Sequence, residues 1–471
     1  MKNRGSIMLL VIVFGAVFFM VLVALSGYVL AENRAEDAAR GRAEAFSIAE
    51  AGLEYYRWFL THFPGNTTNG TGLPGPYSIS YADPEGGTAG AYTLSIAANT
   101  ACGTTTSLTI TSTGDPSDSN QTSTLVATYA YPSVGEYSYI LNTNAWFTST
   151  IYGPMHTNGG LRMDGNPNAP VSSSLSSFTC DSSLGCSPSA TEPGVFGTGS
   201  NQNLWEYPTP QVDFAGISTD FSTLKSIANT SGIYRARVST SSNPHLGYHL
   251  IFNGTTVTIK KVTAVSSSLQ SIPVDGSSST FVTDNNLIST ETTLGTYSIP
   301  STCGLIFIED NVWVEGTISG KVTLVAANVT TANVYPNIVV PNSIVYAGTG
   351  SDGLTAIAAN DVLIGPNSPD SLTMDGIFIA QNGAFGRNLY DCHAGSGTYA
   401  NKSTLAIQGS IVSALKPGTY WTYTESGCGT GVTSGYASRT TSFDKVNAES
   451  PPPFTPSISK QGEFTSWEQE N

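Results

Sequence analysis

The sequence predicts an α+β, mostly β protein: a long N-terminal helix, a small antiparallel sheet, and a large β-solenoid head of the right-handed β-helix kind. Three observations carry that expectation. Residues 6–31 hold no charge, and amphipathic spacing then continues without a helix breaker to residue 63. Charged residues make up 11% of the 471, against roughly 25% in an average soluble domain, while 48 Gly and 25 Pro sit among many Ser, Thr and Asn, a composition of turns and strands. Beyond residue 300, apolar runs of three or four residues recur, too short for helices and apolar on both faces. The formal net charge is −15. Residues 1–63 balance six basic against six acidic side chains, so the excess belongs to everything after the helix. No basic stripe exists for a nucleic acid to follow, which excludes that partner.

At 1.5 Å per residue, residues 6–31 make a helix of ~39 Å, longer than the ~30 Å hydrocarbon core of a bilayer. Lys2 and Arg4 precede the run and Glu32, Glu36 and Asp37 follow it. That asymmetry places the N-terminus in the cytoplasm and the rest, after a single pass, outside or in the periplasm. The alternative is a secretory signal peptide ending at Val29-Leu30-Ala31, but its apolar region would run only ~7 to 15 residues. Ala35, Ala38, Arg42, Ala45, Phe46, Ala49, Leu53, Tyr56, Leu60 and Phe63 fall at three- and four-residue steps, the face expected to pack on the head, opposite Glu36, Arg40, Glu44 and Glu54. Pro64-Gly65 ends the pattern.

The leader Met1-Lys2-Asn3-Arg4-Gly5, the Gly5/Ser6 junction, the long apolar helix and Ala49-Glu50-Ala51-Gly52-Leu53-Glu54 near its end together resemble the N-terminal region of type IV pilin-like proteins, in particular PilX-type minor pilins. The resemblance covers residues 1–63. It implies cleavage by a prepilin peptidase between Gly5 and Ser6, an inner-membrane anchor, no enzymatic activity and no cofactor, and association with other pilins or minor pilins. Major pilins of this group carry a glutamate five residues after the cut, where it pairs with a neighbour's amine inside the filament. Here that position is Leu10. A buried amine gains only from a partner, so a subunit without the acid cannot make that bond. The departure implies a tip or priming subunit, or a membrane protein that never polymerises.

After a loop over residues 66–76, alternating strands are expected at 77–81, 91–97, 107–113 and 124–131, a small sheet behind the helix. Beyond Pro132, runs at 305–308, 312–314, 322–325, 338–340, 362–364, 377–379 and 405–407 suit stacked coils. Ile357, Ile379 and Ile407 each begin a polar corner, at intervals of one coil. A sandwich is the alternative. The expected division is a leader (1–5), a transmembrane half-helix (6–31), an amphipathic half-helix (32–63), a pilin-like β domain (64–133), a β-helix-like head (134–440) with an insertion near 165–300, and an extended C-terminal arm (441–471) laying Phe454 and Trp467 on the solenoid.

Six cysteines suit an exported domain. Cys180 and Cys186 would close a short loop, contributing ~2.4 kcal/mol by chain entropy. Cys392 and Cys428 would pair next, which leaves Cys102 with Cys303. No Cys-x-x-Cys or Cys/His spacing offers a metal site. The Asn-x-Ser/Thr triplets at Asn66, Asn69, Asn120, Asn229, Asn253, Asn328 and Asn401 are expected by chance in so Ser- and Thr-rich a chain. His245 and His249 share the spacing of a zinc helix, yet lie in a strand context that separates them by ~13 Å. Gly316, Gly320 and Lys321 imitate a phosphate loop one residue short. Glu309, Asp310, Asp361 and Asp375 would line one face of a solenoid, as carboxylates do in enzymes that cut polysaccharides. The functions in contention are therefore a minor pilin-like subunit with an adhesive or structural head, a membrane-anchored polysaccharide-active enzyme, and a free-standing adhesin for surface glycans or other cells.

Overall fold

The computed structural model describes residues 4–83, 86–214, 220–391, 398–425, 429–459 and 461–470. The chain divides into two units: Met1–Asn99, Ser107–Ala130 and Gly462–Asn471 form the first, Thr100–Thr106 and Tyr131–Gln461 the second.

In the first unit α1 runs unbroken from Arg4 to His62, since no Pro interrupts its good helix formers. Strands β1 (Tyr77–Ala82), β2 (Thr88–Ala101), β3 (Thr104–Pro116) and β4 (Ser123–Ala130) lie side by side in sequence order. Every second residue of β4 is buried, so Leu125, Ala127 and Tyr129 meet Ile48, Leu53, Tyr56 and Leu60 of the helix in one core. Packing begins at Gly41. Ala35 is exposed because the sheet reaches no further along the helix than the turn at Ser119, which packs on Gly41; Arg42 and Phe63 of the expected face are exposed as well. Two glycines set the spacing of the layers. A Cβ at Gly52 would stand 2.3 Å from Ser112 Oγ, and one at Gly114 would stand 2.1 Å from the Ala45 carbonyl. Helix and sheet thus approach more closely than any other residue allows.

The end of the chain departs from the expected arm. Pro453 accepts a hydrogen bond from the Thr323 hydroxyl and Phe454 packs on the second unit, as an arm would. Residues Glu463–Glu470, however, form a fifth strand of the first unit's sheet, antiparallel to β4 with Glu463 opposite Ala130. Trp467 therefore faces Phe46 of α1, with ring centroids 6.3 Å apart, and covers no solenoid.

The second unit is a stack of parallel strands. One ladder runs through residues 233–235, 305–308, 321–326, 353–358, 377–380, 410–413, 139–141, 155–157, 171–173 and 205–206. Its side chains alternate: Ile306, Leu324, Ala356 and Phe378 point to one core, Phe307, Val325, Ile357 and Ile379 to another. Both faces are covered, which is why these strands read as continuously apolar. The second face is closed by Leu224 and Ala228 of α2 (Phe221–Ser231) and by Phe454 and Ile458. The stretch near 165–300, expected as an insertion, supplies rungs at 171–173, 205–206 and 233–235. Among its described residues, the antiparallel additions at 177–193 and 256–298 and helix α2 stand outside the parallel pattern. Each of these rungs is two or three residues long among Ser, Asn and Gly, too short to carry a strand periodicity. Residues 371–380 and 401–413 bend at Gly376 and Gly409, which face each other at φ 153° and 137°. A Cβ on Gly409 would lie 2.0 Å from the Gly376 carbonyl. Cys102 is bonded to Cys303 and Cys180 to Cys186. Cys392 and Cys428 lie outside the described residues.

Candidate functional site: the exposed half of the helix

Between Ile7 and Leu30, nineteen large apolar side chains of α1 are exposed, among them Phe14, Phe19 and Met20 at 67%, 68% and 70%. The Ser26 hydroxyl is turned back onto the Leu22 carbonyl at 2.8 Å, which hides its polarity within the helix. Taking the low end of ~1.5 kcal/mol per buried apolar side chain, covering this surface is worth about 30 kcal/mol. That exceeds the ~5 to 15 kcal/mol that holds a typical domain folded, so water is not its resting environment. By length and composition this helix is able to cross a membrane. Gly5 and Ser6 already lie within the helical backbone, and Leu10 is 56% exposed on this surface with no carboxylate beside it in sequence.

The motif near the other end of the helix has a packing role. Ala49, Gly52 and Leu53 are buried against the sheet while Glu50 and Glu54 face outward, Glu54 pairing with Arg57 at 2.6 Å. The glycine leaves room for the close approach of the Ser112 and Tyr92 side chains.

The four carboxylates singled out in the second unit do not converge. Glu309 accepts from Lys225 at 2.8 Å and from the Tyr234 hydroxyl at 2.6 Å. Asp310 accepts from the Val238 and Ser239 amides at 2.8 and 2.7 Å. Asp361 accepts from the Ala384 amide at 2.8 Å, and its burial pushes its carboxyl up to about 7. Asp375 accepts from the Tyr346 amide at 3.1 Å. Each carboxylate is held by its own separate partners on a neighbouring rung, loop or helix. Lys321 is a strut, donating to the carbonyl and hydroxyl of Ser450. His245 is lowered by burial and lines a cavity with Arg237 and Tyr335.

His249 belongs to a cluster that spacing did not reveal. Its Nδ1 stands 2.8 Å from Glu291 and its Nε2 is 3.2 Å from Glu315, the latter outside good hydrogen-bonding geometry. Lys260 pairs with the other oxygen of Glu291 at 2.5 Å. The four residues come from four neighbouring strands, 311–318, 247–254, 256–265 and 288–298, and form a cross-strand row in which Glu315 and Glu291 flank His249 and Lys260, beside a cleft of about 470 Å³. The imidazole contact holds Glu315 below the ordinary carboxylate range. For Glu291, Lys260 and His249 together outweigh the upward push of burial. Among the described residues, no group of three or more His, Cys, Asp and Glu is arranged to hold a metal.

No family model matches the chain, and no curated protein does. Among solved structures it is similar to the competence-associated pilin ComZ from Thermus thermophilus at 14% identity, a match covering 91% of this chain and 97% of that one with a TM-score of 0.30.

Proposed function

We propose that this protein is a minor pilin-like subunit of a type IV filament or of its assembly base, anchored in the inner membrane by residues 6–31 and presenting the second unit outside as an adhesive or structural head. The observation that carries the reading is the division of one helix: residues 41–60 are committed to the sheet, while residues 7–30 expose an uncharged, overwhelmingly apolar surface that needs lipid or the equivalent helices of other subunits. The leader and the Ala49–Glu54 motif support the same reading. A prepilin peptidase removes residues 1–5, because Lys2 and Arg4 would otherwise oppose burial at the filament core. With Leu10 where major pilins carry the acid, the subunit takes the tip or priming position. The stacked parallel ladders are the coils of a β-solenoid, and the head's four separately bound carboxylates give no support to a polysaccharide-cleaving reading.

N-terminal sequencing and intact mass of the protein from its native membranes test this. The expected chain begins at Ser6 and stays with the membrane fraction. A chain beginning at Met1 in peptidase-competent cells overturns the processing step, and one beginning at Glu32 overturns the anchor.

A further inference from the structure

We propose that the second unit binds a carboxylated sugar of the hexuronic acid class in the cleft between residues 145–149 and 416–420. The cleft lies where a ladder is interrupted. Gly386 bridges to Gly418, and residues 145–147 pair with 161–163, but among the described residues no backbone hydrogen bond joins 416–420 to 145–149. The gap encloses about 160 Å³ and reaches down to Leu405, Ile407 and Ile411 of the core. At its mouth stand two of the few large aromatic side chains the second unit leaves exposed, Trp146 at 39% and Tyr420 at 37%.

Trp146 is held in place. Its Nε1 donates to Asp164 at 2.8 Å, and the Arg162 guanidinium lies 4.4 Å over the indole, itself fixed by Asp164 and the Leu184 carbonyl at 2.8 Å each. A ring immobilised beforehand costs little further order on binding. Its apolar face suits the C–H face of a sugar, much as aromatic rings receive other flat apolar groups.

Two cations share the cleft. Arg439 lies 4.9 Å over the Tyr420 ring and spends one nitrogen on the Tyr436 carbonyl at 2.8 Å. Lys416 donates to the Ser183 carbonyl at 3.1 Å. Neither makes an ion pair among the described residues, in a chain whose net charge is −15. Partial desolvation lowers both from their ordinary values, against an upward pull on Lys416 from the nearby Asp181. The remaining guanidinium and ammonium donors fit a carboxylate, while the hydroxyls of Thr148, Ser149 and Thr419, also lining the gap, match sugar hydroxyls. A simple fatty acid would leave those hydroxyls unpaired, and a neutral sugar would leave the Arg439 guanidinium without a counter-charge. The inference takes from the proposed function only the exposure of this head outside the cell. Binding in the cleft does not depend on filament assembly, so either can fail alone.

The test titrates the full-length protein in detergent micelles with sodium galacturonate, its linear trimer, methyl galactoside and sodium acetate, followed by calorimetry and by saturation-transfer NMR. Galacturonate is expected to bind saturably, with methyl galactoside and acetate at least about tenfold weaker. Lys416→Gln and Trp146→Leu are each expected to weaken galacturonate about tenfold or more. Lys416 is a surface side chain, so its variant keeps the test alive if Trp146→Leu or Arg439→Gln fails to fold. A trimer binding tighter than the monosaccharide supports a polysaccharide as the source of the acid, and equal binding supports a free sugar. Equal affinity for the neutral glycoside, equal affinity for acetate, or wild-type binding by Lys416→Gln overturns the proposal.

Discussion

Gly114→Ala tests the packing of helix on sheet directly. The added methyl would sit 2.1 Å from the Ala45 carbonyl and 2.6 Å from the Ala49 amide, both helix backbone, while β3 is tied on its other side by the pairing of Gly114 with Ser123. No side chain can rotate away, so helix and strand must separate by about 1 Å to reach ordinary contact. Overpacking costs ~1 to 3 kcal/mol where neighbours yield, and a backbone-to-backbone clash belongs at about 3. Gly52→Ala meets only side chains, Ser112 Oγ at 2.3 Å and the Tyr92 ring at 2.9 Å, and gains about 1 kcal/mol of helix propensity. Its net cost is expected at about 1 kcal/mol. Gly15→Ala meets nothing within 4 Å and is the control. Hydrogen exchange read by mass spectrometry on peptides from residues 41–60 of the full-length protein in micelles reports local opening. At 1.4 kcal/mol per tenfold, Gly114→Ala accelerates exchange roughly a hundredfold, Gly52→Ala several-fold, and Gly15→Ala not at all. Unchanged exchange in Gly114→Ala, or a larger effect at Gly52 than at Gly114, refutes the reasoning.

Replacing Cys102 and Cys303 together by Ser removes a link across 201 residues, up to ~5 kcal/mol by chain entropy, so the urea midpoint falls further than on replacing Cys180 and Cys186, whose link is worth ~2.4. The folded Asp361 carboxyl titrates about 7, above the ~3.9 of an unfolded chain. Its contribution to stability is therefore complete below pH ~4 and is lost as pH rises through 7, up to ~4 kcal/mol in all. Urea midpoints followed across that window are expected to flatten in Asp361→Asn, and a slope equal to wild type would count against a buried carboxyl here. Leu10→Glu restores the missing acid. Immunogold labelling is expected to move from filament ends to several-fold more sites along the shaft, and end-only labelling by the variant removes the tip argument.

The rod was legible because helix periodicity is local: residues 6–63 need no partner to declare a helix, and α1 runs from Arg4 to His62. Where its packing starts was not, since Ala35 and Gly41 differ only in what the sheet reaches. The coil interval was half legible. Ile357 does pair with Ile379, 22 residues on, but Ile379 pairs with Val412, while Ile407 faces Met374. The bends at Gly376 and Gly409 let one strand serve two ladders, and a count of apolar residues does not register a corner. The His249 cluster and the Trp146–Arg439 cleft depend on register between strands far apart in sequence, which no spacing encodes. The final strand Glu463–Glu470 carries few apolar residues and pairs with β4 across more than 330 residues, so it reads as a tail.

The path through the second unit explains why its two halves read so differently. The chain enters the ladder in the middle, at residues 139–141, and adds rungs at 155–157, 171–173 and 205–206 in one direction. The next rung, 233–235, lies at the opposite end. Nine steps of ~4.8 Å separate the ends, about 43 Å, which the residues between 206 and 233 can span at up to ~3.3 Å each. Along that return, Val212, Phe214 and α2 cover the outer face of the ladder. From 233 the rungs proceed back toward the middle until residues 411–413 dock on 139–141. The rung that joins the halves thus pairs segments made about 270 residues apart, and the first unit's sheet waits for residues 463–470. Neither unit has its full complement of strands until nearly the whole chain exists, which places this protein among slow, high-contact-order folders and gives its cross-links long-range pairings to hold. Of those, Cys102–Cys303 ties residues 100–106 to the second of the returning rungs, at 305.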